Sequence, residues 1–294
     1  MQEGLAQAEL IAVLVAVTAG QPRVLTLESG YTLPCGPLQI GHKSLQSGLR
    51  AWVEQQTHHP LGYVEQLYTF ADQQQATQRG ISISYLGLTR EGLATYPGAL
   101  WRGWYDYFPW EDTRTNVFDP TALEQALSAW AGALSGRKAR IAALFGRDGQ
   151  GWNEELVLQR YELLWEAELV PEARREHSQA GNWLVPGMEM THDHRRILAT
   201  AIARLRSKIK YRPVVFELLP REFTLLDLQQ TMEALAGRGF HKPNFRRFIE
   251  QLDLIEETGR MACGLAGRPA KLFRFRPAVL AERSFAGTKL PIVK

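Results

Sequence analysis

Cysteine is nearly absent: Cys35 and Cys263 are the only two in 294 residues. They form no C-x-x-C redox pattern and no zinc-ligand spacing, and two thiols cannot staple a disulfide framework. A reducing compartment is expected. Long hydrophobic runs are also missing. The longest, Leu10 to Thr18, falls far short of the roughly 20 residues that span a bilayer. Glu3 and Glu9 stand where a secretory leader would carry positive charge. The run reads as a buried strand in a cytoplasmic protein with no membrane partner. Nothing in the chain forms a P-loop, a G-x-G-x-x-G turn or a Ser-His-Asp grouping. No internal repeat or low-complexity tract appears. With 45% hydrophobic and 22% charged residues, the composition is that of an ordinary globular chain, which excludes overall disorder and coiled coil.

What is present is unevenly shared. Residues 211–294 carry 14 Lys and Arg against 9 Asp and Glu, whereas residues 1–210 carry 20 against 22. Just upstream of that basic region, Arg195, Arg196, Arg204, Arg206, Lys208, Lys210 and Arg212 follow Asp193 with no acid between them. Such asymmetry points to a polyanionic partner, the bland reading being a solvated basic face. Tryptophan divides the other way, with all eight between Trp52 and Trp183. Two domains are expected, over 1–210 and 211–280, with a tail at 281–294.

In the first domain, Leu10–Thr18 and Arg23–Leu27 read as strands around Gly20-Gln21-Pro22. Ser44–Gln56 has the apolar spacing of a helix. Leu61–Phe70 and Ile81–Thr89 read as strands around a polar loop at Asp72–Arg79. From about 118 to 190 a helical insertion is expected. Its first helix is capped by Asp119 with Pro120 at the first position, and others follow at Gly136–Leu144 and Asn153–Leu169. Val170–Pro186 reads as a loop. Asp193–Lys210 is a long helix that ends before Pro213.

The second domain has a sharper pattern. Thr224 and Asp227 make a near capping box for a helix that stops at Gly237 and Gly239. After a short turn, His241 opens a second helix with Phe245, Phe248, Ile249 and Leu252 on one face. Lys242, Arg246 and Arg247 fall elsewhere. Leu252–Glu257 and Lys271–Arg276 are strand-like and enclose a glycine-rich tip. This is a winged helix-turn-helix pattern. Arg and Asn make bidentate contacts to base edges. The candidate DNA-binding residues are therefore Thr224, His241, Lys242, Asn244, Arg246, Arg247, Arg268 and Lys271. A simple Arg246–Glu250 helix pair is the competing reading of that arginine.

Several stretches resemble Nudix-related transcriptional regulators of NAD metabolism, the NrtR/NadQ type. They are Tyr63–Asp72, Ile81–Thr89, Tyr107-Phe108-Pro109-Trp110-Glu111-Asp112, Tyr161–Leu164, Asp193–Arg196, Lys210–Pro220 and Gly267–Phe275. The Phe-Pro-Trp-Glu-Asp segment and the inserted helices favour the NadQ branch. The resemblance implies an α+β chain: a degenerate Nudix-like α/β/α sandwich with a helical insertion, then a C-terminal winged helix-turn-helix. Nudix hydrolysis needs clustered carboxylates on one helix to hold Mg²⁺. Here Lys43 takes the first Glu slot, Ala51 and Trp52 the Arg-Glu slots, and Gln55 and Gln56 the paired Glu slots. Glu54 is the sole acid between Gly36 and Val64. No catalytic residue, metal ligand or required cofactor is therefore expected.

The implied function is repression of NAD biosynthesis genes by a homodimer on double-stranded operator DNA. The degenerate domain would sense a nucleotide of the ATP, NAD or ADP-ribose type. Candidate ligand contacts are Arg50 for phosphate, Tyr68 and Thr69 on a strand, and Trp101, Arg102 and Trp110 in an aromatic segment. Core packing or a dimer interface is the competing reading of those rings. The alternative function is a divergent Nudix hydrolase of nucleoside diphosphate derivatives, for which Glu155 and Glu168 are the residues to alter. A third reading gives the winged helix protein partners instead of DNA. Cys35, Cys263, His192 and His194 carry no activating or ligating pattern.

Overall fold

Alternation along the first strand organises the sheet. β1 (Gln7–Thr18) sends Leu10, Ala12, Leu14 and Ala16 to one face and Ile11, Val13 and Val15 to the other, and all are buried. A strand apolar on both faces needs cover on both sides. Leu49 and Val53 of α1 (Leu45–Thr57) pack on the first face. The second face enters a larger core that includes α7 (His194–Ile209). The computed structural model describes residues 7–59, 61–70, 73–75, 78–92, 98–115, 117–177, 185–209, 214–262 and 269–277.

In chain order, β1 is followed by β2 (Gln21–Thr26), β3 (Cys35–Pro37), α1, β4 (Tyr63–Phe70), β5 (Gln73–Gln75), β6 (Gln78–Leu88) and β7 (Leu100–Gly103). The sheet order is β4-β6-β1-β2-β7, with β3 added to β1 and β5 to β6. β1 and β6 run parallel, from Gln7 opposite Gly80 to Val15 opposite Leu88, and the other pairs are antiparallel. The Gln-rich stretch expected as a loop thus supplies β5 and the start of β6. The polar side chains hid a hairpin whose backbone ladder needs no apolar face.

After β7 come α2 (Trp104–Tyr107) and a 3-10 turn at Pro109–Glu111, and the stretch expected as an insertion from about 118 to 190 holds the helices α3 (Thr121–Ala131), α4 (Ser135–Phe145), α5 (Val157–Glu166) and α6 (Pro171–His177) before α7. Three boundaries need correction. α3 begins one residue after Pro120, although Asp119 Oδ1 still accepts from Thr121 N at 3.0 Å and from its hydroxyl at 2.6 Å. α5 is shorter than expected, because Asn153 Oδ1 caps a separate turn through Glu155 N at 3.0 Å. Part of the supposed loop after Val170 is α6, with Pro171 at its first position, where a missing N–H costs nothing.

The C-terminal elements are a 3-10 turn at Val214–Glu217, α8 (Leu225–Ala236), α9 (Lys242–Leu252), β8 (Ile255–Met261) and β9 (Lys271–Phe275). The capping box forms: Asp227 N donates to Thr224 Oγ1 at 3.1 Å, and Thr224 N to Asp227 Oδ2 at 2.8 Å. Strand β8 starts later than expected, because Leu252 still belongs to α9 and Asp253 caps it in the left-handed region. The expected boundary near 210, the wing tip at 263–268 and the tail at 281–294 lie outside the described residues.

The two parts meet across a buried ion network. Glu111 is fully buried and touches two fully buried arginines. Arg160 grips it bidentately at 2.6 and 2.9 Å, and Arg206 reaches it from α7 at 2.6 Å. Neighbouring carbonyls take the surplus donors: Arg160 bonds Leu144 O and Asn153 O, and Arg206 bonds Glu154 O, Leu235 O and Glu111 O. Breaking a buried pair strands an uncompensated charge. Glu111→Gln should therefore lower unfolding stability by about 3–5 kcal/mol. Arg140→Ala, which removes the exposed partner of Glu166, should cost about 1 kcal/mol or less. Urea titrations of the two variants check the contrast.

Candidate functional site

The exposed face of α9 is the candidate nucleic-acid interface. Gly237 closes α8 in the left-handed conformation, with φ at 72°, and α9 opens after His241. Phe245 and Ile249 are buried on the inner side, and Phe248 is half-buried. Leu252, expected on that inner face, is 38% exposed because α9 outruns its support there. His241, Lys242, Asn244, Arg246 and Arg247 are all exposed. Among the described residues no hydrogen bond or ion pair engages Lys242, Arg246 or Arg247, so the Arg246–Glu250 pairing does not form.

Most of the other described cations of this part are already partnered, Arg221 being the exposed exception. Lys271 pairs with Glu257 at 2.8 Å, Arg274 with Glu256 at 2.7 Å, Arg276 with Asp253 at 2.6 Å and Arg260 with Glu222 at 2.9 Å. Thr224 is buried and its hydroxyl caps α8, so it does not face a ligand. Arg268 lies outside the described residues. Most of the described basic run at the end of the first part is likewise spent internally, Arg204 being exposed with no side-chain partner among the described residues. Arg195 and Arg206 have no exposed surface. Arg196 pairs with Glu162 at 3.1 Å, and Lys208 with Glu65. The expectation that this run as a whole faces a polyanion is corrected: Arg195, Arg196, Arg206 and Lys208 hold α7 to the sheet, the insertion and α8, while Lys210 and Arg212 lie outside the described residues. Among the described residues, α9 alone offers a cluster of uncommitted cations at the end of a helix, the arrangement by which helices of this kind enter a major groove.

On the other side of the molecule, α1 has exchanged acids for packing. Trp52 Nε1 donates to Pro37 O at 2.9 Å. Its ring lies so close over Gly36 that a Cβ there would come within 2.4 Å of it. Gln56 uses both ends of its amide on one residue, accepting from Cys35 N at 3.1 Å and donating to Cys35 O at 2.7 Å. A carboxylate could not make the second bond. Burial, with Glu9 beside it, pushes the Cys35 thiol up to about 12, which leaves it protonated and inert. Among the described residues no cluster of three His, Cys, Asp or Glu could hold a metal ion.

The six expected nucleotide contacts do not converge. Arg50 donates to the carbonyls of Leu61 and Gly62, so it staples the chain after α1 and does not wait for phosphate. Trp101 is 8% exposed and Trp110 4% exposed, both in the core. Their rings are packed edge-on, Trp101 on His59 and Trp110 on Phe108. They are corrected to packing residues, because a ring enclosed by protein offers no face to a base. Tyr68 and Thr69 are exposed on β4. Arg102 is half-buried on β7, with Nη2 on Ser29 O at 3.2 Å and a buried Nε that has no hydrogen-bond partner. β4 and β7 are opposite edges of the five-strand path, about 19 Å apart at normal strand spacing. They are two separate candidates and not one cradle.

His194 was invisible as a structural residue. It is buried, and its Nδ1 accepts from Leu33 N at 3.0 Å, tying α7 to the turn before β3. A ligating His would carry other donors around it; this one has backbone. No sequence signal marks it beyond its place at the start of a long helix.

With this geometry in view, the comparisons are direct. Residues 215–275 match the family described as NrtR DNA-binding winged helix domain. The C-terminal part is therefore similar to an NrtR-type winged helix. The ADPR responsive transcriptional repressor NtrR of Acinetobacter baylyi is 34% identical over 105 residues, 34% of this chain and 41% of that protein. The chain therefore matches less than half the length of that curated relative. Over nearly the whole chain the fold is that of Shewanella oneidensis NrtR in complex with a 27mer DNA. That structure is 21% identical with a TM-score of 0.55, covering 93% of this chain and 95% of its own. A MutT/nudix family protein from Enterococcus faecalis is 15% identical with a TM-score of 0.54, covering 94% and 88%. The α+β architecture is thus Nudix-like followed by the NrtR-type winged helix, and the resemblance to Nudix-related regulators holds.

Two outcomes test the site. Burial, with His192 nearby, holds His194 down at about 4 from an ordinary 6.5. The unfolded chain then binds a proton that the native one refuses, so this contribution is whole above pH 6.5 and is lost as pH falls toward 4. Urea midpoints should drop between pH 7.5 and pH 5, with a shallower slope in His194→Gln. Gln56→Glu, which restores an acid to α1, should lose about 1–3 kcal/mol of stability. It should show no Mg²⁺-dependent cleavage of ADP-ribose.

Proposed function

We propose that this protein is a transcriptional repressor of NAD biosynthesis genes. It binds operator DNA as a homodimer through its winged helix and senses an ADP-ribose-type nucleotide in a Nudix-like domain that does not hydrolyse it. The observation that carries the reading is the face of α9, where Lys242, Arg246 and Arg247 stand exposed while Lys271, Arg274 and Arg276 are paired. Asn244, on the same turn, supplies the side chain suited to adenine. The effector reading rests on the printed name of the Acinetobacter relative. The absence of enzymatic activity rests on α1, whose acid slots hold residues bonded to β3. The homodimer follows from operator symmetry: two half-sites call for two equivalent heads. No observation favours the hydrolase alternative. With no helix long and apolar enough to cross a membrane among the described residues, a cytoplasmic role alongside DNA is the consistent one.

Fluorescence anisotropy tests this. The probes are upstream fragments of the host's quinolinate and nicotinate pathway genes and a scrambled duplex, at fixed and then varied salt, because affinity without salt is uninterpretable. Arg247→Ala or Arg246→Ala should weaken specific binding by about 1–3 kcal/mol if it reads a base, or flatten the salt slope by about 0.9 if it touches phosphate. Lys271→Ala should change affinity by about twofold or less, since its charge is already shared with Glu257. ADP-ribose should shift the specific complex. Equal, steeply salt-dependent binding to every duplex would defeat the reading, as would Mg²⁺-dependent turnover of ADP-ribose.

A further inference from the structure

The last carbonyls of a helix have no partner inside it. At the C-terminus of α8, side chains of the other domain supply those partners. Tyr105 Oη donates to Ala234 O at 2.6 Å, Arg206 Nε to Leu235 O at 2.9 Å, and Thr113 donates to Gly237 O through both its N–H at 2.7 Å and its hydroxyl at 2.8 Å. Gly237 is the residue of the helix-turn-helix turn that must be left-handed. It is also pressed backbone to backbone on the sensor: a Cβ there would come within 2.2 Å of Glu111 O. Two separate constraints, conformation and space, exclude any other residue. The contact is deep, since Arg206 is fully buried and Tyr105 largely so.

We propose that Tyr105, Thr113 and Arg206 are positioning residues for DNA binding, which set the angle at which α9 is presented by capping α8 from the sensor domain. The segment that bears the first two follows directly on β7, the edge strand of the sheet. β7 is paired with β2, from Arg23 opposite Gly103 to Thr26 opposite Leu100. A displacement of that sheet edge therefore reaches the turn before the reading helix within one short, ordered stretch, Trp104 to Thr113. Glu111 fixes the middle of the stretch, through Arg160 to the insertion and through Arg206 to α7. The winged helix is in this way a rigid extension of the sensor, and a two-site operator is matched only when the capped geometry holds.

This inference rests on the DNA-binding reading, and its test separates the two. The full chain is compared with the double variant Tyr105→Phe/Thr113→Val and with Thr113→Ser, which keeps the hydroxyl. The DNA is a duplex selected from a random pool by the wild-type protein, beside a scrambled duplex. The double variant should lose tenfold or more in the ratio of selected to scrambled affinity. Its binding to the scrambled duplex and its salt slope should stay unchanged, because the α9 cations are untouched. Thr113→Ser should keep the wild-type ratio. A merely structural role would lower the melting temperature and leave the ratio alone, which would overturn the proposal. Amide exchange over residues 232–240 gives a readout independent of DNA. Faster exchange in the double variant supports the capping, and wild-type protection there overturns it. If the wild-type protein selects no duplex over the scrambled one, the DNA reading fails, and the exchange result alone decides whether the domains are locked.

Discussion

One buried carboxylate, Glu111, holds three parts of the molecule in one arrangement. It lies between the guanidinium groups of Arg160 on α5 and Arg206 on α7, and its own carbonyl accepts from Arg206. Two cations against one anion would be intolerable in a dry interior without further acceptors. The chain supplies them as backbone carbonyls: from the ends of turns around Leu144, Asn153 and Glu154, and from Leu235 in α8. Helix and turn termini are where free carbonyls exist. The network therefore does more than balance charge. It obliges four segments, distant in sequence, to present their carbonyls at the same point, and any rearrangement of the domains has to pass through it.

The same economy explains α1. In a hydrolase of this fold the helix would present acids to a metal. Here its corresponding positions hold Trp52 and Gln56, which are closed onto β3 by hydrogen bonds and by ring contact with Gly36. Arg50, one turn away, is fastened to the loop after the helix. The substitutions are mutually consistent: each removes a charge that chemistry needs and adds a contact that packing uses. A helix so attached is a fixed wall of the domain and a poor place to restore activity one residue at a time.

Much of this architecture was legible because it is local. The double-faced apolar run of β1, the Thr224 cap and the amphipathic α9 are written in neighbouring residues, and periodicity and capping rules recover them. The site was less legible because it depends on distance. Nothing near Arg206 in sequence says that its partner is Glu111, 95 residues earlier. The dense aromatic segment around Trp101 and Trp110 looks the same in sequence whether its rings face a ligand or a core. Only the burial of both, and the seating of Arg195 within 5.6 Å of the Trp110 ring, decides for the core. Arg50 was misplaced for the same reason, since an arginine reads as a phosphate contact until its carbonyl partners are seen. Short elements such as β5 and α6 escaped because their residues carry little periodicity of either kind.

Charge, finally, has to be counted after pairing and not before. The sequence presents two basic regions, the dense run through α7 and the more dilute terminal part. In the structure most of the first is consumed: Arg195 and Arg206 are interior struts, and Arg195, Arg196 and Arg206 are paired with Glu172, Glu162 and Glu111, which leaves Arg204 exposed. The wing is half consumed, by exposed pairs that are weak enough to exchange. The one cluster of uncommitted cations among the described residues is a short stretch of α9. Net charge alone would spread a polyanion over the whole C-terminal third of the chain. Charge counted after pairing narrows the candidate surface to one helix face, which is the scale on which a nucleic-acid groove is read.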